Sequence, residues 1–255
     1  MITAKSPILS LIGPAKRTKL WLSYYETLKA NEVSFEVIFI GPEKPTFNLP
    51  ENFKFVFSEV KPQQCLEAAS RLAKGEYLMP TGDDLVYSEY ALDKLYEAIQ
   101  GAASDLAIGS LIYKKHQEKE GMHRFINDDP NSPLMPYLGG IFKKSAWREL
   151  GGLDNRFVSS HGETEMTLRI IEKGGFVVYA EGAFLDEIVK GGASLWQTYG
   201  RKFDHPLMMR LWSMRSWRHG FRRRFSKVRL GSLHPYKDDG VLDVSQGFIG
   251  TWRGK

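Results

Sequence analysis

The chain has 255 residues, 42% of them hydrophobic and 25% charged, enough apolar content to bury a core and no compositional bias toward disorder. A single cysteine, Cys65, excludes an intrachain disulfide and leaves any metal to oxygen or imidazole ligands. The net charge of +5 is local, because residues 201–229 hold ten Lys and Arg against one acid, Asp204, and the rest of the chain is acidic. No apolar run approaches the ~18 residues of a membrane span, and the N-terminus lacks the apolar length and cleavage site of a signal peptide. A cytoplasmic protein is the expectation, with a single α/β unit followed by an irregular extension.

In chain order, Pro7 to Ile12 is a short apolar run stopped by Gly13-Pro14 and reads as a buried strand. Lys16 to Ala30 carries Leu20, Trp21, Tyr24, Tyr25 and Leu28 at helical spacing. Phe35 to Ile40 is a second strand closed by Gly41-Pro42, and Phe53 to Phe57 is a third with period-two alternation. Gln63 to Ala73 reads as helix, Tyr77 to Met79 as strand and Glu89 to Gln100 as amphipathic helix. This alternation predicts a parallel sheet covered by helices. The second half is less regular, with a strand over Leu106 to Tyr113, a charged loop at 114–120 and a Pro- and Gly-rich loop at 127–140. Helices over Lys143 to Leu150 and Glu163 to Lys173 each end in a glycine pair, and Phe176 to Ala180 returns as strand.

The most informative residues are Asp83 and Asp84, directly after the strand at 77–79. Adjacent aspartates alone more often cap a turn. Their position at the C-terminal edge of a parallel sheet, where ligands bind in open α/β folds, gives them a second reading as ligands of a hard cation. The blocks around them favour that reading. The strand ending Gly13-Pro14-Ala15-Lys16-Arg17, the stretch Ala73-Lys74-Gly75-Glu76-Tyr77, the acidic pair, Gly151-Gly152-Leu153-Asp154 and Glu163-Thr164-Glu165-Met166-Thr167-Leu168-Arg169 together resemble glycosyltransferase family 2. The resemblance runs over roughly residues 7 to 195, with all blocks in order.

It implies an α/β fold of the GT-A type: a Rossmann-like, mostly parallel sheet flanked by helices over residues 1–195. Residues 1–100 would form the nucleotide-binding half and 101–195 the acceptor half, with 196–255 a basic C-terminal helical extension packing on the core. It further implies an inverting transfer from a nucleoside-diphosphate sugar, UDP-sugar favoured, to a saccharide or other hydroxyl acceptor. Mn²⁺ or Mg²⁺ would be held by Asp84 with Asp83. Glu163 aligns with the family's catalytic Asp, with Glu165 and Asp154 as reserve candidates for the base. Pro14, Lys16, Arg17, Glu43, Gln64, Arg71 and Asp83 fall where the nucleotide would lie, and Gly139-Gly140 would let backbone approach the sugar or acceptor.

The sequence also departs from the family pattern. The first carboxylate of a full D-x-D triplet is replaced by Thr81 or Gly82, Glu43 stands where many members have Asp, and no late histidine aligns; Asp186, Glu187 and His205 lie nearby in sequence. Two further readings compete. A sugar nucleotidyltransferase would want a glycine-rich phosphate loop, for which Gly13 to Arg17 is a poor substitute. A nucleic-acid binder built on 201–229 leaves Asp83, Asp84 and the Glu163 block unexplained, so nucleic acid is not the expected partner. That segment interleaves its charge with aromatics, which suits a lid, a packed helix or a peripheral membrane contact.

Overall fold

The computed structural model describes residues 6–115, 140–189 and 198–211. Its centre is a five-stranded sheet in the order β3-β2-β1-β4-β7. Strands β1 (Leu9–Pro14), β2 (Phe35–Gly41), β3 (Phe53–Phe57) and β4 (Tyr77–Pro80) are parallel, and β7 (Phe142–Lys143) closes one edge antiparallel to β4. The inner strands β1, β2 and β4 are covered on both faces and are mostly apolar, whereas the edge strand β3 alternates and leaves Lys54 exposed. Leu9, Leu11, Val37, Phe39 and Met79 pack toward Trp21 and Tyr24 of α1 (Trp21–Glu26) and toward Leu92 and Leu95 of α3 (Ala91–Gly101). The alternate residues Ile12, Ile38, Ile40 and Leu78 pack toward Leu66 and Ala69 of α2 (Pro62–Leu72), Trp147 of α4 (Lys144–Glu149) and Met166 of α5 (Gly162–Glu172).

A second sheet, in the order β5-β8-β6, contains β5 (Leu85–Tyr87), β6 (Ala107–Lys115) and β8 (Phe176–Glu187). It joins the first through paired backbone hydrogen bonds between Gly109 and Ile141. Strand β8 is much longer than the expected 176–180. The chain passes Gly182 at φ +68° with a register shift opposite Ser110 and Ile112, then resumes pairing to Glu187.

The helix expected over Lys16 to Ala30 is shortened to a 3₁₀ turn at Thr18–Leu20 followed by α1. The reason lies upstream. Ala15 donates its N–H to the Ile40 carbonyl, and Lys16 and Arg17 donate theirs to Asp83, so these residues cross the sheet edge outside the helix. Gly41 makes that crossing possible, since a Cβ there would lie 1.7 Å from the Ala15 carbonyl oxygen.

After residue 198 the chain forms a π-helical turn (Gly200–Asp204) and α6 (His205–Leu211), whose Met208 and Leu211 pack on Phe157 and Leu168. The rest of the basic extension, residues 212–255, lies outside the described residues, as do Gly139 and most of the 127–140 loop. Among the described residues no helix is long and apolar enough to cross a membrane.

Candidate functional site

The C-terminal edge of the central sheet carries the site. Asp83, on the turn after β4, is buried and its carboxylate is fully engaged. Oδ2 accepts the backbone N–H groups of Lys16 at 2.7 Å and Arg17 at 2.5 Å, and Oδ1 lies 2.6 Å from Arg17 Nη1. The same Nη1 lies 3.1 Å from Asp84 Oδ2. Charge-assisted bonds to backbone N–H groups are roughly twice as strong as neutral ones. Asp83 is therefore first a tie between the β1 loop and the β4 turn, and only Asp84 presents a carboxylate with open oxygen valences. Burial pushes the Asp84 carboxyl up, the Arg17 guanidinium opposes this, and the negative charges of Asp83 and Glu187 add to the push.

Glu187 reaches this point through β8. Leu85 pairs with Glu187, and the Ile188 N–H donates to the Asp84 carbonyl at 3.0 Å, so the end of β8 lies beside the acidic pair. Tyr113 on β6 donates its hydroxyl to Glu187. Thr81, at the place of the missing first carboxylate, points inward instead. Its hydroxyl bonds Tyr87 at 2.7 Å and Tyr24 at 3.2 Å in a buried polar cluster beneath the pair. A carboxylate could not ionise there cheaply.

A divalent ion fits this donor set in one way. Among the described residues no cluster of three or more His, Cys, Asp or Glu side chains is arranged to hold a metal. Mg²⁺-like ions are commonly held by one or two carboxylates plus substrate phosphates and water, and Asp84 suits that arrangement as a single protein ligand. Asp83 already accepts three donors, two main-chain N–H groups on Oδ2 and the Arg17 side chain on Oδ1.

Glu163 sits at the N-terminus of α5, half-buried, and accepts a hydrogen bond from Gln63 Nε2 at 2.9 Å. Gln63 belongs to the first turn of α2, which leaves the sheet at the same C-terminal edge as the acidic pair. Burial raises the Glu163 pKa; its own N–H and Gln63 partly offset this, and Asp204 raises it further. Asp204 is itself buried, accepting the N–H groups of Val158, Ser159 and Ser160 and so fixing the turn before α5. His161, in the left-handed region at φ +69°, lies with its ring 5.4 Å from that of His205.

The two reserve candidates are occupied elsewhere. Glu165 is sealed from solvent and bound to Arg169 Nε at 2.7 Å, while the other guanidinium nitrogens hold the carbonyls of Leu150 and Gly152. Asp154 is likewise sealed, gripping Arg156 through both carboxylate oxygens. Removing Glu165 would strand the buried Arg169 charge, and both carboxylates brace the segment between α4 and α5.

The remaining expectations divide by place. Pro14, Lys16 and Arg17 form the loop over Asp83, and Glu43 is exposed just beyond β2 at the same edge. Gln64 closes the N-terminus of α2 by accepting the Lys61 N–H at 3.1 Å. Arg71 lies nearly two turns further on and pairs with Glu67 at 3.2 Å, on the part of α2 directed away from the acidic pair. Glu67 also receives Leu153 N–H and Trp147 Nε1, which explains its burial. Gly140 is buried ahead of β7. Gln63, Glu187 and Asp204 were not among the expected site residues. Their partners are far away in sequence, and only the acidity of Asp186-Glu187 was a visible signal.

The fold is that of GT-A-like glycosyltransferases. No family model and no curated protein matches the sequence. Solved structures do match. The chain is similar to Staphylococcus aureus TarS 1–349 in complex with UDP, at a TM-score of 0.54 and 13% identity over 70% of this chain and 60% of that one. It is similar to the same protein in complex with UDP-GlcNAc, at 0.56 and 14% identity over 72% and 59%, and to a longer TarS structure at 0.55 and 13% identity, where it covers 36% of the neighbour. The chain thus spans about three fifths of the shorter TarS structures, and identity at this level carries the fold.

The two aspartates should separate in stability measurements. Asp83→Ala leaves the N–H groups of Lys16 and Arg17 without their acceptor and should cost about 2–4 kcal/mol in urea unfolding. Asp84→Ala relieves a carboxylate repelled by Asp83 and Glu187 and should stay within about 1 kcal/mol of the parent. Equal costs would contradict the division of roles.

Proposed function

We propose that this chain is a glycosyltransferase that moves a sugar from a nucleoside-diphosphate sugar, UDP-sugar favoured, to a hydroxyl of a saccharide or other acceptor, with inversion. The observation that carries the reading is the Asp83–Arg17–Asp84 constellation at the C-terminal edge of a GT-A-like sheet. That edge is where a diphosphate would find an arginine fork, and the similar fold of TarS carries UDP and UDP-GlcNAc in its complexes.

The chemistry asks for two things. The acceptor oxygen forms a bond to the anomeric carbon while the bond from that carbon to the diphosphate oxygen breaks, and the leaving group takes the electron pair. The hydroxyl proton passes to Glu163, whose raised pKa makes it a better base than an ordinary glutamate and whose Gln63 contact fixes its orientation. The nucleoside diphosphate accumulates negative charge as it departs, and the Arg17 guanidinium faces that charge. Mn²⁺ or Mg²⁺ arriving with the donor would be held by Asp84 and would supply further neutralisation there.

Thermal shift against nucleoside diphosphates and their sugars, with and without Mn²⁺, tests the donor assignment. UDP with Mn²⁺ should raise Tm, with a smaller rise for Asp84→Ala. No response to any nucleotide would sink the proposal.

Glu163→Gln keeps the Gln63 contact and should retain donor binding while losing transfer by about 10²-fold or more. The sign of its pH effect is set by the raised pKa. The unfolded chain releases this proton first, so Glu163 costs stability as pH climbs from the ordinary glutamate range through the raised value. Glu163→Gln should therefore match the parent at acidic pH and exceed it in unfolding free energy toward neutrality. Parental kcat would rise over that same interval. An unchanged transfer rate in the variant would place the base on another residue.

A further inference from the structure

A cation already sits at the acidic pair, and it is Arg17. Its Nη1 lies between Asp83 Oδ1 at 2.6 Å and Asp84 Oδ2 at 3.1 Å. A small divalent ion binds carboxylate oxygen at about 2.1 Å, so an ion on that face of Asp84 and the guanidinium compete for the same oxygen and repel each other. Only the side-chain part of the tie is free to leave. Asp83 keeps the backbone N–H groups of Lys16 and Arg17 through Oδ2, whichever way the side chain turns. The Arg17 side chain is also 35% exposed, against 3% for Asp83 and 18% for Asp84. A planar, weakly hydrated guanidinium is well suited to exchange a carboxylate for phosphate oxygens.

We propose that Arg17 is an exchangeable counter-cation: it guards Asp84 in the donor-free protein and moves onto the donor's diphosphate as the divalent ion reaches that carboxylate. This rests on the glycosyltransferase reading for the identity of the anion, but not for the exclusion of metal by arginine. It makes metal and nucleotide bind as a unit, because each relieves an obstacle to the other. Without a nucleotide the guanidinium keeps the ion out. Without the ion, moving Arg17 would leave Asp84 facing Asp83 and Glu187 uncompensated.

Mn²⁺ titrations followed by the electron paramagnetic resonance of the free ion, on the parent, Arg17→Ala and Arg17→Lys, with and without UDP, test this. The parent should bind Mn²⁺ weakly alone and much more tightly with UDP. Arg17→Ala should bind Mn²⁺ alone at least ~10-fold more tightly than the parent, with a reduced gain from UDP, and Arg17→Lys should fall between. The backbone tie to Asp83 survives these changes. Should circular dichroism show that Arg17→Ala has unfolded, Arg17→Gln carries the same expectation. Mn²⁺ affinity in the folded variant equal to or below the parent's would overturn the exchange. Tighter Mn²⁺ binding in the variant with no UDP effect on any protein would uphold the exclusion and overturn the nucleotide reading instead.

Discussion

One buried carboxylate, Asp83, connects the turn after β4 to the loop after β1 by accepting two consecutive backbone N–H groups. Strand pairing and the Ala15 N–H bond to Ile40 hold Gly13 to Ala15 at the sheet edge, and the Asp83 carboxylate anchors Lys16 and Arg17 beyond them. With that anchor in place, helix formation is delayed to Trp21, Arg17 projects over the acidic pair, and Gly41 lets the crossing run tight against β2. The same tie sets the direction of Asp84, which leads into β5 and so into the second sheet. The end of β8 is then drawn up beside it, bringing Glu187 and the Ile188 N–H.

The opposite wall is held by ion pairs whose carboxylates are buried, with Arg169 sealed and Arg71 and Arg156 partly exposed. Glu165 with Arg169, Asp154 with Arg156, and Glu67 with Arg71, Trp147 and Leu153 lock the irregular segment between α4 and α5. Such pairs contribute little net stability compared with apolar packing, but breaking one is costly, so they specify one geometry for a segment with little regular structure. Asp204 fixes the turn at Val158 to Ser160, and Gln63 reaches Glu163 from α2. The proposed base is thus positioned by groups on three separate elements.

The long elements were legible because physics leaves a pattern in them. Strands covered on both faces are mostly apolar, and β1 and β2 stand out before their Gly-Pro stops, while β3 shows as a period-two alternation. Strands β5 and β7, of three and two residues, are too short to show a period. The continuation of β8 was hidden by Glu181-Gly182, where pairing survives an irregularity that sequence cannot distinguish from a turn. The acidic pair was visible as a candidate site, but not the division of labour within it, since two of the three donors to Asp83 are main-chain groups 66 and 67 residues away that leave no side-chain signature. Glu165 and Arg169, at i and i+4, could have been read as a pair from spacing alone. Arg71 likewise falls nearly two helical turns beyond Gln64, too far along α2 to share its edge of the sheet.

Nuclear magnetic resonance of the amide-labelled chain with Mn²⁺ and UDP tests the location of the site most directly, because the paramagnetic ion broadens only nearby signals. Selective loss of the Lys16, Arg17, Asp84 and Ile188 amide signals, with Arg71 and Lys74 at the far edge of the sheet unaffected, is the expected result. Broadening centred away from the Asp83–Asp84 turn, or none under saturating nucleotide, would contradict it.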